Sequence, residues 1–262
     1  MKILFIGDIN GKVGRRMAAE NLPALREKHS ADLCVVNGEN AAGGFGITAE
    51  NAEEIFSAGA DVITSGNHIW NKKETAGFMM GEPRLLRPAN YPAGAPGGGV
   101  YVARTPAGPV AVISLMGRVF MPPVDCPFRA ADRLLEDLDP EVRVVFIDFH
   151  AEATSEKVAL GWHLNGRVSA VIGTHTHIQT ADERVLPDGG TAYISDAGMT
   201  GPADSVIGIK TSIAVEKFLS GIPRRFEVSG GRGQLNGAVI EVDPESGRAL
   251  SIERIGFLED PA

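Results

Sequence analysis

Ile3-Leu4-Phe5-Ile6-Gly7-Asp8 opens the chain with an apolar run that ends on a glycine and an acid. The same figure returns four times. Residues 33–36 lead to Asn37-Gly38-Glu39-Asn40, and 62–64 lead to Ser65-Gly66-Asn67-His68. Residues 144–147 lead to Asp148-Phe149-His150, and 170–172 to Gly173-Thr174-His175-Thr176-His177. Short, near-continuous apolar runs suit parallel strands covered on both faces. Helix-like stretches lie between them at 15–28, at 48–58 with Thr48 as N-cap, from about Asn71, and from near Thr154. Strand–helix–strand repeats imply parallel strands joined by right-handed crossovers. Their C-terminal ends then share an edge, which is where open α/β sheets bind ligands.

Other segments read as antiparallel. Residues 100–103 and 110–115 flank the turn Thr105-Pro106-Ala107-Gly108, and 185–186 and 191–195 flank Pro187-Asp188-Gly189-Gly190. Residues 225–228, 238–242 and 249–255 read as a closing meander. The expected fold is therefore α/β, with two packed, mostly mixed β-sheets flanked by helices. No linker divides the chain, and its length suits one domain over residues 1–262. The Pro/Gly-rich stretch 88–99 reads as a compact surface loop at a rim.

Thirty-three acidic residues against 25 basic ones leave a net charge of −8. That balance argues against sequence-independent binding to nucleic acid or to an anionic membrane, and no stable nucleic-acid binding is expected. No stretch approaches the ~18 apolar residues of a membrane span, so no membrane partner is expected either. Cys34 lies in an apolar run and Cys126 far from it, forming neither a pair nor a metal-type cluster. Two such thiols suit a reducing compartment and place the protein in the cytoplasm.

The residues after the strands make a metal site by type: two carboxylates, amide oxygens and several imidazoles. Such donors suit Mn, Fe or Zn, and the lack of thiolates argues against a Cys-rich structural zinc site. His175 and His177 stand two apart, and an irregular loop lets them approach one or two ions from different sides. The donors outnumber what one tetrahedral ion needs, so two ions sharing a carboxylate is the economical arrangement. Any one of these residues alone would read as a cap or a turn. Five coincidences at equivalent strand ends reverse that reading. By the same test His29 and His163 read as structural, Glu152 as capping or solvating the next helix, and Asp148 stays open between orienting a histidine and pairing locally. The glycines after the first strand do not match G-x-G-x-x-G, and there is no H-E-x-x-H, P-loop or G-x-S-x-G.

In this order, Asp8, Gly38-Glu39-Asn40, Gly66-Asn67-His68, His150 and Gly173-Thr174-His175-Thr176-His177 resemble a known pattern. It is the D-x-H, G-D-x-x-D, G-N-H-[DE], H and G-H-x-H series of the calcineurin-like metallophosphoesterase superfamily. The chain is similar to its YmdB-like branch of 2′,3′-cyclic nucleotide phosphodiesterases along nearly the whole length. That similarity includes Arg87-Pro88-Ala89-Asn90, Phe149-His150-Ala151-Glu152-Ala153-Thr154 and Asp196-Ala197-Gly198-Met199-Thr200-Gly201-Pro202.

The resemblance implies a four-layer α/β-β/α sandwich and a metal-dependent phosphodiesterase acting on small phosphodiesters or nucleotides. It implies a dinuclear centre of iron or manganese, with zinc admissible, and attack by a metal-bridged hydroxide. Asp8, Glu39, Asn40 and His177 would hold the first ion. Glu39 (bridging), Asn67, His150 and His175 would hold the second, with His68 free as general acid. Some members of the branch are described as regulators of colony and biofilm behaviour. Three departures stand out: Asn10 replaces the histidine of D-x-H, Glu39 replaces the bridging Asp, and Ile69 stands where an acid would orient His68. A phosphomonoesterase or protein phosphatase, or a regulatory binding protein with residual hydrolase activity, stays open beside the leading reading. Residues 88–99 and 118–123 are the expected substrate loops but carry no readable code. Arg118 reads equally as a phosphate contact or a surface residue, and the sequence leaves oligomeric state, a homo-oligomer included, unread.

Overall fold

A computed structural model describes residues 1–260. In chain order the elements are β1 (Lys2–Ile6), α1 (Gly11–His29), β2 (Leu33–Asn37), α2 (Ala49–Ser57), β3 (Val62–Thr64) and α3 (Thr75–Met79). Then come β4 (Val100–Thr105), β5 (Gly108–Met116), α4 (Pro127–Asp137), β6 (Val144–His150), α5 (Thr154–His163) and β7 (Ala170–Thr174). The chain closes with β8 (Arg184–Val185), β9 (Ala192–Ile194), β10 (Gly201–Pro202), α6 (Thr211–Ser220), β11 (Gly233–Val242) and β12 (Ala249–Leu258).

The strands form two mixed sheets, as expected. In the first, β1, β2 and β3 run parallel, and the long antiparallel strand β11 joins β1 to β12 and β10. In the second, β5, β6, β7 and β9 run parallel, with antiparallel β4 and β8 at the edges.

Side-chain alternation sorts the apolar runs into three cores. Ile3 and Phe5 of β1 and Leu33 and Val35 of β2 meet Val144 and Phe146 of β6 and Ala170 and Ile172 of β7 between the sheets. Phe5 and Phe146 touch across that seam with ring centroids 5.3 Å apart. Leu4, Ile6, Cys34 and Val36 point the other way, onto Met17 and Leu22 of α1 and Ile55 of α2. Val145, Ile147 and Val171 point outward onto Ala130 and Ala131 of α4 and Leu160 of α5. The layers are therefore helix, sheet, sheet, helix. Because both faces of these strands are covered, their sequences lack a polar/apolar alternation.

Several boundaries differ from the sequence reading. α1 begins at Gly11, a turn and more before Arg15, because the Gly11 N–H reaches the Asn40 carbonyl and the Gly14 N–H reaches Asn10. The helix near Asn71 is only a 3₁₀ turn, Ile69–Asn71, followed by the five-residue α3. Residues 225–228 are not a strand. Among the described residues they pair only with the short stretch 208–210, so the pairing stops at the Ile209–Val228 bridge and its flanking bonds. α4 and α6 lie outside the helices that the sequence predicts, although Pro127 at the start of α4 is a position that proline favours. Among the described residues no helix is long and apolar enough to cross a membrane.

Candidate metal centre

Period-two geometry carries the chain from core to site. Val144 and Phe146 of β6 face the other sheet, so Asp148 and His150 continue that face. In the same way Asn37 follows Leu33 and Val35, Thr64 follows Val62, and Thr174 follows Ala170 and Ile172. The seam between the sheets is thus apolar along most of its length and turns polar at the C-terminal strand ends. Three of the five ends belong to the first sheet and two to the second. They meet across two facing edges, not along a single one.

Asp148 is wholly buried and accepts hydrogen bonds from Thr174 Oγ1 (2.7 Å), Asn37 Nδ2 (2.8 Å) and the Thr64 hydroxyl. The Thr174 hydroxyl proton goes to Asp148, so its lone pair receives the His150 Nδ1–H at 3.0 Å. Asp148 therefore orients His150 through Thr174, which answers the question the sequence left open.

The other two histidines are held in the same fashion. His175 Nε2 lies 3.1 Å from Glu152 Oε2, and His177 Nδ1 lies 2.8 Å from the Ile207 carbonyl. Each imidazole gives its outer proton to a fixed acceptor and turns the other nitrogen inward as a lone pair, the arrangement that carboxylates and carbonyls impose on metal-binding histidines. Glu152 does not cap α5, whose N-cap is Ala153. It grips a histidine, and its place two residues after His150 was the available signal.

The inward atoms converge. His150 Nε2 lies 3.1 Å from Asn67 Oδ1, 3.1 Å from His175 Nδ1 and 3.6 Å from Glu39 Oε1. Donors bonded to one ion at ~2.0–2.2 Å stand roughly 3.0–3.6 Å from each other, so this spacing suits a shared cation. Nearby, the Asn40 amide lies 3.0 Å from His177 Nε2. Positive φ at His175 (94°) and His177 (68°) makes this an irregular loop. Buried Asp196 pins it by accepting from the Thr176 N–H (3.0 Å), Thr176 Oγ1 (2.6 Å) and Lys157 Nζ (3.0 Å).

Asp8 and Glu39 are fully buried, and among the described residues neither pairs with a lysine or arginine. Asp8 Oδ2 accepts the His175 N–H at 3.1 Å, while Oδ1 has no hydrogen-bond partner. Glu39 accepts the backbone N–H groups of Gly66 and His68. Burial pushes the Asp8 carboxyl up to about 6 and the Glu39 carboxyl well above its usual range. Burial also lowers the imidazoles, His175 to about 4 and His150 well below its ordinary value. The carboxyls resist ionisation for want of a compensating charge, which a metal cation supplies, and the imidazoles are kept in the neutral form whose lone pair binds one.

Among the described residues no three His, Cys, Asp or Glu side chains are arranged by themselves to hold an ion. Glu39 faces backbone N–H groups, and amides complete each donor set. The donor chemistry nonetheless fits: an orphaned carboxylate oxygen, inward lone pairs and no thiolate. Asn10, the departure from D-x-H, is buried beside Asn40 with an unpartnered Oδ1, and so offers another oxygen there.

His68 stands outside the convergent set. Asn71 Nδ2 lies 3.3 Å from its Nδ1, and the Phe45 ring packs edge-on at 4.9 Å. Asn71 thus does the orienting work that Ile69 cannot. Burial lowers the His68 pKa, partly opposed by the Asn71 hydrogen bond. Gly66 admits a close approach in the site, since a Cβ there would overlap the His150 ring. A pocket of about 350 Å3 opens over these groups, lined also by Phe45, Ile207, Ile209 and Phe226. Neither 88–99 nor Arg118 lines it. Arg118 is exposed, with its backbone N–H tied to Glu156 at 3.0 Å.

A family model described as YmdB-like protein matches residues 4–255. The chain belongs to the YmdB-like family. A Bacillus subtilis (strain 168) relative named 2′,3′-cyclic-nucleotide 2′-phosphodiesterase is 48% identical over 260 residues, covering 99% of this chain and 98% of its own. A YmdB-like chain should share its fold with such relatives, and solved structures agree. One from Thermus thermophilus superimposes with a TM-score of 0.93 at 40% identity, covering 99% of this chain and 100% of its own. A Mycoplasma pneumoniae structure described as a novel phosphatase gives 0.93 at 36% identity, covering 99% and 94%.

Proposed function

We propose that this chain is a metal-dependent phosphoric diester hydrolase acting on small phosphodiesters, 2′,3′-cyclic nucleotides foremost, with both sheets working as one domain. The name of the Bacillus subtilis relative supports the reaction class. The observation that carries the site is the convergence of His150 Nε2, His175 Nδ1, Asn67 Oδ1 and Glu39 Oε1 beside the unpaired Asp8 oxygen. Asp8, Glu39, Asn40 and His177 would hold one ion, and Glu39, Asn67, His150 and His175 a second. Carboxylate, amide and imidazole donors suit manganese or iron, and zinc is accommodated. When bound, such a pair supplies Lewis acidity toward the phosphoryl oxygens and lowers the pKa of water.

The chain's own part is to orient and to move a proton. Asn71, 3.3 Å from His68 Nδ1, holds the ring by that edge. Hydrolysis of a cyclic diester forms a bond from water oxygen to phosphorus and breaks one from phosphorus to a ribose oxygen, and the His68 imidazolium gives its Nε2 proton to that oxygen and returns to the neutral ring. An anionic phosphate in the pocket favours the protonated ring and opposes the effect of burial. The His175–Glu152 and His150–Thr174–Asp148 chains keep the other imidazoles from competing as proton donors.

The test is turnover of a 2′,3′-cyclic nucleotide and of p-nitrophenyl phosphate by manganese-loaded protein, parent beside His68→Ala. The diester should be preferred, and the variant should lose about 10²–10⁴-fold in kcat on it with metal content unchanged. Equal rates for parent and variant remove His68 from the reaction. A preference for the monoester would favour a phosphatase.

A further inference from the structure

Phe45, Ile207, Ile209 and Phe226 give the site pocket an apolar wall beside polar groups that include His68, His175 and His177. The turn that builds the wall is unusual. Val206 and Ile209 exchange both backbone hydrogen bonds, at 2.9 and 3.0 Å, around the pair Ile207-Gly208. Both central residues have positive φ, 47° at Ile207 and 100° at Gly208.

A two-residue turn with positive φ at both positions selects Asn-Gly or Asp-Gly, and a β-branched residue there is a genuine outlier. Turn chemistry alone would have put asparagine at 207. The Ile207 carbonyl orients His177, but any residue supplies a carbonyl. What isoleucine adds is a side chain, 47% exposed, on the pocket wall. Backbone strain retained at a functional site points to a use for the residue that bears it.

Phe226 joins this wall through the pairing of 208–210 with 227–229. The Lys210 N–H bonds the Glu227 carbonyl at 2.9 Å, and the Ser229 N–H bonds Gly208 at 2.8 Å. Lys217 Nζ stands 4.3 Å from the Phe226 ring centroid, which fixes the ring and occupies one face. The polar lining is largely committed: Thr176 to Asp196, Glu152 to His175 and His177 to Ile207. Little remains to read the edge of a ligand, whereas a flat apolar surface is present. The volume, about 350 Å3, falls in the ~300–1,000 Å3 range of small-molecule sites.

From this we infer that Ile207, Ile209, Phe226 and Phe45 form the subsite for the substrate's nucleobase, holding it by stacking and apolar contact without reading its edge. The inference rests on the cyclic-nucleotide reading and deepens it. It makes the enzyme tolerant of base identity but intolerant of base absence, because every base has a π-face.

The experiment measures equilibrium binding by calorimetry to manganese-loaded protein. Adenosine 3′-monophosphate is compared with methyl riboside 3′-phosphate, which lacks the base, in the parent, Phe226→Ala and Ile207→Asn. The parent should prefer the base-bearing ligand by roughly 10- to 100-fold, and the ratio should fall toward about 1 in both variants. Ile207→Asn guards against misfolding, since asparagine suits the turn and should hold or raise Tm while the ratio still drops. Equal affinities in the parent, or a ratio unchanged in both variants, would overturn the subsite. Hydrolysis of the matching 2′,3′-cyclic compounds reports separately on the reaction: a binding preference without turnover of either would sink the diesterase reading and leave the base subsite standing.

Discussion

Thr174 carries more of the site than its modest chemistry suggests. Its hydroxyl is donor to Asp148 and acceptor for His150, so it converts a buried carboxylate into a fixed histidine tautomer. Thr174→Val keeps the shape and removes that link. His150 Nδ1–H then loses its acceptor, and the imidazole is free to flip or to protonate inward. Metal affinity should fall about 10- to 100-fold, the usual cost of losing an outer partner of a metal-binding histidine, with the fold retained. A competitive metal titration reads this directly, and unchanged affinity would separate Asp148 and Thr174 from the site. Glu152 and Asn71 act by the same logic on His175 and His68. The sequence marks only the place of Glu152 two residues after His150, because its partner His175 sits at the next strand end and Asn71 meets His68 only through the loop's shape.

At the scale of elements, the strands were legible because burial on both faces writes a continuous apolar run. Val62–Thr64 has the bounds that its sequence suggests. Thr48 caps α2 by accepting the Asn51 N–H, as its residue type and place imply. α6 carries Val215, Phe218 and Leu219 at helical spacing, yet these side chains are exposed, so the stripe marks no buried face. The stretch 225–228 misled for the opposite reason, its alternation being real while its pairing partner is too short. The seam between the sheets depends on large side chains meeting across it, chiefly Phe5 and Phe146. Phe146→Ala should cost about 3–5 kcal/mol by removing a wholly buried ring. That corresponds to a Tm lower by roughly 10 °C in a scanning melt. A shift under about 2 °C would mean that the seam repacks freely.

For the whole molecule, the site exists only where the two sheets face each other. Asp8, Glu39, Asn40 and Asn67 come from the first sheet's strand ends, and His150, His175 and His177 from the second's. The sequence could mark these residues as equivalent strand ends, but it could not say that the ends oppose one another across a seam. Its net charge of −8 predicts repulsion of phosphate at long range, yet surface charge is screened beyond ~8–10 Å, and a pair of cations in the seam would set the local sign. The most direct measurement is therefore metal uptake. Metal-stripped protein is titrated with Mn2+ by calorimetry while paramagnetic resonance follows the bound ions. Two equivalents per chain with an exchange-coupled spectrum is the expected result. Saturation with none, or with a single uncoupled ion, would contradict it.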